Sequence, residues 1–428
     1  MANNQSLTEY YKVNVFAALY GFGGSVWGGM TYFFGIPVAL LAFLNASSTQ
    51  VGLITTIFWA GFALPQIWAG YKSEPLPIKK RYIAWSLAVS SLGFLVYGIY
   101  LLMTSASNAS FAVWFFLVAF AWACFICGLY IPGNFTLLFK IIPTARLGHL
   151  LGIYFAIQFG GIFVSGFAIK WINNAFAPPM NYAVLFIITF VVTVISAAVI
   201  LLLNEPKGEE VKSEPSFGAY IGKLINIYKT DKPFVRFLVG KWLMTGHYIM
   251  LAFLLMFLIK ERGFAQGNAG WFPALNGLGL FIGGFTITKI ADVYGPKYML
   301  MTSQIMAAAY TLMAVLIPTM SPIVVGIAFV ITGLAQVSDN VGYSNMCLFT
   351  CPTVDKSSYV AATNVGIIPF MVLGPIIIGQ LIDKGILSYL GSFWVSLVLM
   401  IAAAIYILTV VDNPKAYTDM KAAEKAAA

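Results

Sequence analysis

The sequence predicts an all-α membrane protein of twelve transmembrane helices, built as two parallel six-helix halves with both termini cytoplasmic. Three observations carry that expectation. Apolar windows of about 20 residues, enough to cross roughly 30 Å of hydrocarbon, recur along all 428 residues. Basic residues collect in alternate short loops, and one long polar segment divides the apolar windows into equal sets.

The chain is 60% hydrophobic and only 9% charged. Soluble domains carry about 25% charged residues, so a water-soluble fold is excluded. The polar beginning, Met1–Glu9, lacks a basic n-region and reads as part of an inserted protein rather than a cleaved signal. The net charge of +9 could suggest a nucleic-acid partner. However, Lys72, Lys79, Lys80, Arg81, Lys140, Arg146, Lys289 and Lys297 sit in loops joining alternate spans, while Asn45–Gln50, Thr104–Ser110 and Pro318–Pro322 carry no charge. That is the positive-inside pattern, which sets orientation in a bacterial-type cytoplasmic membrane; no nucleic acid is expected. Cys124, Cys127, Cys347 and Cys351 lie in or beside apolar runs without a nearby acid or histidine, so they read as small buried hydrophobes. No metal or cofactor is expected.

The spans are expected at about 13–43, 51–71, 82–103, 111–139, 149–171, 182–203, 234–259, 269–290, 298–318, 321–345, 359–382 and 388–411. The first and fourth exceed the bilayer's need and must tilt or protrude. The expected domains are an N-terminal bundle (1–203), a cytoplasmic linker (204–233) and a C-terminal bundle with a short tail (234–428). Within the linker, Phe217, Tyr220, Ile221, Leu224, Ile225 and Tyr228 recur at helical spacing, which predicts an amphipathic helix on the membrane surface.

Only two charges lie deep inside apolar runs: Lys241 in the seventh span and Asp339 in the tenth. A charge at the middle of a bilayer helix costs roughly 2.5–3.5 kcal/mol on insertion scales, and pairing the two is the simplest way to offset that. A static bridge between two helices is one reading. The other makes Asp339 and Lys241 a proton-coupling pair that breaks during a transport cycle.

The loops after spans two and eight resemble each other. Gly70-Tyr-Lys-Ser-Glu74 leads through Pro75 and Pro77 to Lys79–Arg81, and Thr288-Lys-Ile-Ala-Asp292 leads through Gly295 to Lys297. With the span count and central linker, these loops resemble the major facilitator superfamily, whose hallmark there is Gly-x-x-x-Asp-x-x-Gly-x-Lys/Arg. Asp292, Gly295 and Lys297 match it, Thr288 replaces the first glycine, and the first-half copy keeps only the charge logic. The resemblance implies a cytoplasmic gate at Glu74, Lys80, Asp292 and Lys297, against the plainer reading of solvated loops.

The resemblance also implies a central cavity lined by spans one, four, seven and ten. On those spans the polar positions are Asn14, Ser25, Trp27 and Tyr32; Tyr130 and Asn134; Thr245 and Tyr248; and Gln336 and Tyr343, with Thr332 on the same stripe as Asp339. Gln158 and Trp59 are further candidates, and His247 sits around the helix from Lys241. Span five has glycines, as in Gln158–Gly166, but no proline, which leaves family antiport unsupported.

The function expected is secondary active transport of a small solute by alternating access, coupled to protons through Asp339 with Lys241, by a monomer in a lipid bilayer. The alternatives are efflux of amphipathic or lipid-like compounds by proton antiport, and a sensor or scaffold that transports nothing. An enzyme is not expected: the two histidines, His149 and His247, form no metal pair, and there is no nucleophile turn.

Overall fold

The computed structural model describes residues 2–27, 35–73, 76–141, 147–207, 216–264, 271–287, 289–316, 321–350, 356–414 and 418–419. Every regular element among them is an α-helix. In order these are α1 (Ala2–Trp27), α2 (Ile36–Phe43), α3 (Ser48–Ser73), α4 (Lys80–Thr104), α5 (Ala109–Ile141), α6 (Leu147–Ala175), α7 (Met180–Leu201) and α8 (Phe217–Thr230). There follow α9 (Lys232–Leu243), α10 (Thr245–Lys260), α11 (Trp271–Thr286), α12 (Lys289–Val293), α13 (Pro296–Leu316), α14 (Pro322–Thr350), α15 (Lys356–Asp383) and α16 (Tyr389–Thr409).

Ten helical stretches among the described residues are long and apolar enough to cross a membrane. The expected first span falls on α1 and α2, and α1 begins well before residue 13. The expected eighth span falls on α11, which has 16 residues. The seventh, read as one run, is two helices that meet at Met244. Large apolar side chains such as Trp85, Trp114, Val118, Trp171 and Val398 stand exposed on the outer helix faces. In water that would be costly; in lipid it is the required surface, since helices satisfy their own backbone groups there.

Helices α1–α7 pack on one another, and α9–α16 repeat the pattern. Thus α3 packs on α5 as α11 does on α14, α4 on α7 as α13 on α16, and α1 on α7 as α10 on α16. Two long seams join the groups: α3 against α15 and α6 against α11. Both need glycine. A Cβ on Gly52 would stand 2.7 Å from the Pro375 carbonyl oxygen, and one on Gly277 would stand 2.8 Å from the Phe163 nitrogen. Small residues of this kind let helix backbones meet closely in a membrane, where dispersion replaces the hydrophobic drive.

The far face, opposite the linker helix α8, is closed. Ile36, Leu40 and Leu41 of α2 and Met250–Leu258 of α10 are enclosed by protein, and α2 touches α10. At the edge of the seam, Asp383 of α15 accepts the N–H groups of Ser48 (2.8 Å) and Thr49 (2.7 Å) and the Thr49 hydroxyl. A carboxylate there meets both the unpaired donors and the positive end of the α3 dipole. The Ser48 hydroxyl adds a 2.9 Å bond to Tyr389.

On the linker face, Ser216 and Asp231 cap α8 and α9 through their side chains. The expected membrane-facing stripe of α8 is divided. Tyr220, Leu224 and Ile227 are buried in a cluster with Tyr71 of α3 and with Tyr359, Ala361 and Ala362 of α15, leaving Phe217, Ile221 and Ile225 exposed. The reason is register: two apolar stripes lie side by side on this helix, and the protein uses one.

The loop bases expected to form a gate serve a local purpose in this structure. Lys80 donates to the carbonyls of Leu201 (3.2 Å) and Leu203 (2.6 Å) at the end of α7, and Lys297 to that of Leu408 (3.2 Å) at the end of α16. Both contacts stay within one helix group. Glu74 and the side chain of Asp292 lie outside the described residues. The acid that completes the first copy is Glu205. It accepts the N–H groups of Lys79 (2.7 Å) and Lys80 (2.8 Å) and pairs with Lys140 at 2.8 Å, its side chain fully enclosed. In the second copy Asn413 stands in the corresponding place and accepts the Lys297 N–H at 3.3 Å.

Two outcomes follow from these contacts. Glu205→Ala leaves the first turn of α4 without its acceptor and Lys140 with only the Pro77 carbonyl. It should cost about 3 kcal/mol, the low end for breaking a buried pair because Lys140 is partly exposed, with Glu205→Gln losing less; thermal unfolding in detergent measures both. Asp383→Asn weakens the far-face closure, so a cysteine introduced as Val38→Cys should react with a maleimide faster than it does beside Asp383.

Candidate functional site

The interruption at Met244 shapes the centre of the molecule. It leaves Lys241 in the last turn of α9 and Tyr248 in the first turn of α10, both directed at Asp339 of α14. Lys241 Nζ lies 2.5 Å from Asp339 Oδ1, and the Tyr248 hydroxyl donates to Oδ2 at 2.5 Å. All three residues are at most 3% exposed. Each carboxylate oxygen therefore has a donor, which is what a buried charge requires. The ammonium also lies 5.2 Å from the centre of the Tyr343 ring, within cation–π range.

This cluster reaches the first helix group by two routes. The Tyr343 hydroxyl donates to Asn364 Oδ1, and Asn364 Nδ2 donates to Gln66 Oε1 of α3 at 2.6 Å. The Tyr248 ring meets Trp59 of α3 edge-on at 5.2 Å between centroids. The ion pair belongs to α9 and α14, yet its supports cross the α3–α15 seam.

Beside the cluster lies a cavity of about 200 Å³. Tyr20 of α1, Phe58, Trp59 and Phe62 of α3, Tyr130 and Asn134 of α5, and Tyr154, Phe155 and Gln158 of α6 form one wall. Asn340, Tyr343 and Ser344 of α14 form the other. No charged residue is among the described lining residues. Lys241 and Asp339 lie behind Tyr343 rather than on the wall.

The expected positions divide accordingly. Tyr130, Asn134, Gln158, Tyr343 and Trp59 line the cavity. Asn14 is buried in α1 off the wall, and Tyr248 is spent on Asp339. Thr245 instead borders an apolar cleft of about 440 Å³ between α9, α10, α15 and α16. Thr332 accepts a 2.8 Å bond from Asn276 of α11, and Gln336 is fully buried with neither amide atom hydrogen-bonded. The single stripe read along α14 thus splits: its outer half faces neighbouring helices and its inner half faces the cluster. His247 turns to α13, its Nδ1 3.0 Å from the Tyr310 hydroxyl. The side chains of Ser25 and Trp27, and all of Tyr32, lie outside the described residues.

Sequence reasoning missed Tyr20, Phe58, Phe62, Tyr154, Phe155, Asn340 and Ser344. Its search followed polar residues on four spans, whereas most of this wall is aromatic and much of it comes from α3 and α6. The Phe58/Phe62 pair at helical spacing, now stacked at 4.2 Å, was the available signal.

Comparison with known proteins bears on the same arrangement. No curated protein matches the sequence. The sequence profile of the Major Facilitator Superfamily matches residues 16–366 and, a second time, 244–427. Among solved structures, a variant of the nucleoside transporter NupG is similar at 13% identity and a TM-score of 0.68, over 94% of this chain and 100% of that one. The E. coli fucose:proton symporter FucP is similar at 16% identity and 0.62, over 93% and 98%. A POT family transporter in complex with a thioalcohol-conjugated peptide is similar at 12% and 0.67, over 95% of each chain. At such identities the likeness is one of fold. The profile spans most of the chain, the helices are long and apolar, and this integral multi-pass membrane protein belongs to the Major Facilitator Superfamily.

Proposed function

We propose that this protein is a secondary active transporter that moves a small solute by alternating access, with Asp339 as the proton-carrying group. The observation that carries the reading is the buried Lys241–Asp339–Tyr248 cluster, one ring's thickness behind a cavity between the two helix groups. Residues 1–203 and 234–428 act as two rocking six-span bodies, with 204–233 connecting them. Twelve spans result when α1 and α2, α9 and α10, and α11 with α12 each count as one crossing. The linker face is cytoplasmic by its basic residues, the membrane is of the bacterial cytoplasmic type, and the working unit is a monomer.

Physical chemistry links the cluster to a cycle. In this conformation Lys241 and Tyr248 each occupy one oxygen of the Asp339 carboxyl group. Protonation of Asp339 removes the attraction to Lys241, and the seam ties through Tyr343, Asn364 and Gln66 then lose their anchor. A ligand or proton shifts such an equilibrium only through what it changes between the two states. Similarity to a protein named as a proton symporter supports coupling of this kind.

Two measurements test this. In proteoliposomes with an imposed pH gradient, Asp339→Asn should cut gradient-driven accumulation by at least about tenfold while leaving solute exchange without a gradient intact; full response to the gradient would overturn the role. In a stability cycle, Lys241→Met and Asp339→Asn alone should each cost about 3–5 kcal/mol. The double variant should cost clearly less than their sum, because neither leaves a lone buried charge.

A further inference from the structure

We infer that the solute is an uncharged single-ring molecule bearing hydroxyl or N–H donors, of monosaccharide or nucleobase size; this rests on the transporter reading above and specifies its cargo. Among the described residues the cavity wall offers nothing to a charge. No described lining residue is ionised, and in this conformation Lys241 and Asp339 are paired with each other. An anion or cation entering here would lose hydration without gaining a counter-ion, a cost of several kcal/mol.

What the wall does offer is flat rings and amides. Phe58 and Phe62 stack at 4.2 Å, and Tyr20 meets Tyr130 edge-on at 5.7 Å, so aromatic rings from α1, α3 and α5 border the space. Such surfaces favour the apolar face of a ring-shaped solute. The polar counterpart is Gln158. It is 3% exposed, lines the cavity, and its carboxamide oxygen has no hydrogen-bond partner. A buried acceptor left unpaired costs about 1–3 kcal/mol, and a solute O–H or N–H placed there removes that cost. A hydrocarbon or lipid tail would not.

Size sets the last limit. A closed apolar cavity of about 150 Å³ holds one benzene ring. About 200 Å³ between the described residues is room for one substituted ring.

The test uses purified full-length protein in detergent, with thermal shift and calorimetric titration. The panel contains neutral hexoses, pentoses, nucleobases and nucleosides, with glucuronate, glucosamine and orotate as charged counterparts. At least one neutral single-ring compound should stabilise the protein and bind at least tenfold more tightly than its charged counterpart. Gln158→Ala should weaken that binding about tenfold, the worth of one hydrogen bond, without lowering the melting temperature of the unliganded protein; Asn134→Ala serves if Gln158→Ala misfolds. Hexose or nucleobase hits tell the two sources apart. Equal or tighter binding of the charged compounds, a preference for two-ring nucleosides, no shift from any member, or an unaffected Gln158→Ala would each overturn the inference. A neutral ring that binds but is never accumulated under a gradient leaves this inference standing and removes the coupled-transport reading. Gradient-driven accumulation of a charged solute does the reverse.

Discussion

A lysine ammonium and an aspartate carboxylate 2.5 Å apart, both removed from water, set the terms for the rest of this molecule. Each would cost several kcal/mol to bury alone, and together they are tolerable only while their geometry and remaining hydrogen bonds hold. The fold is arranged to hold them. Breaking the seventh span at Met244 brings the ammonium from one helix and a tyrosine hydroxyl from the next onto the two oxygens of one carboxylate. The ammonium's open side is closed by the Tyr343 ring. The result is a charge cluster that is internally neutral, dry, and hinged on the α3–α15 seam through neutral amides.

The linker face follows a different economy. Each helix group ties the start of its third long helix to the end of its last. Lys80 and Lys297 perform the same task, each donating to the carbonyls of that last helix. The acceptor differs: Glu205 with its partner Lys140 in the first group, neutral Asn413 in the second. The two copies share a geometry while the first carries an additional buried ion pair. The first group is thus the more firmly stapled, and the second holds the central charges.

Legibility in the sequence tracked the cost of a residue's placement. Lys241 and Asp339 could be found because no other charge lay so deep in an apolar run, and expensive residues announce themselves. The long apolar helices were readable for the same reason, since a bilayer tolerates few polar residues. Boundaries were less so: the helix break falls at Met244 itself, between Gly240 and Gly246, and methionine is compatible with either side. The cavity wall was the hardest part to foresee. Phenylalanine and tyrosine cost nothing in a membrane protein, so Tyr20, Phe58 and Phe155 look the same whether they face lipid, another helix or a ligand. Gln336 is the converse, a polar residue that is fully buried and is not among the described residues lining the cavity.

Asp383 has a consequence for the secondary structure itself. The first turn of α3 has its own capping box, in which the Ser47 hydroxyl accepts the Gln50 N–H at 3.2 Å and Gln50 Oε1 accepts the Ser47 N–H at 2.9 Å. The amides of Ser48 and Thr49 are bonded by a carboxylate from a helix on the other side of the seam. The end of that helix is therefore complete only while the far face is shut. In the proposed cycle the two helix groups part, those amides turn to water, and the first turn is freed to fray. Backbone amide exchange at Ser48 and Thr49 is then a clock for far-face opening, running on native atoms without any attached probe.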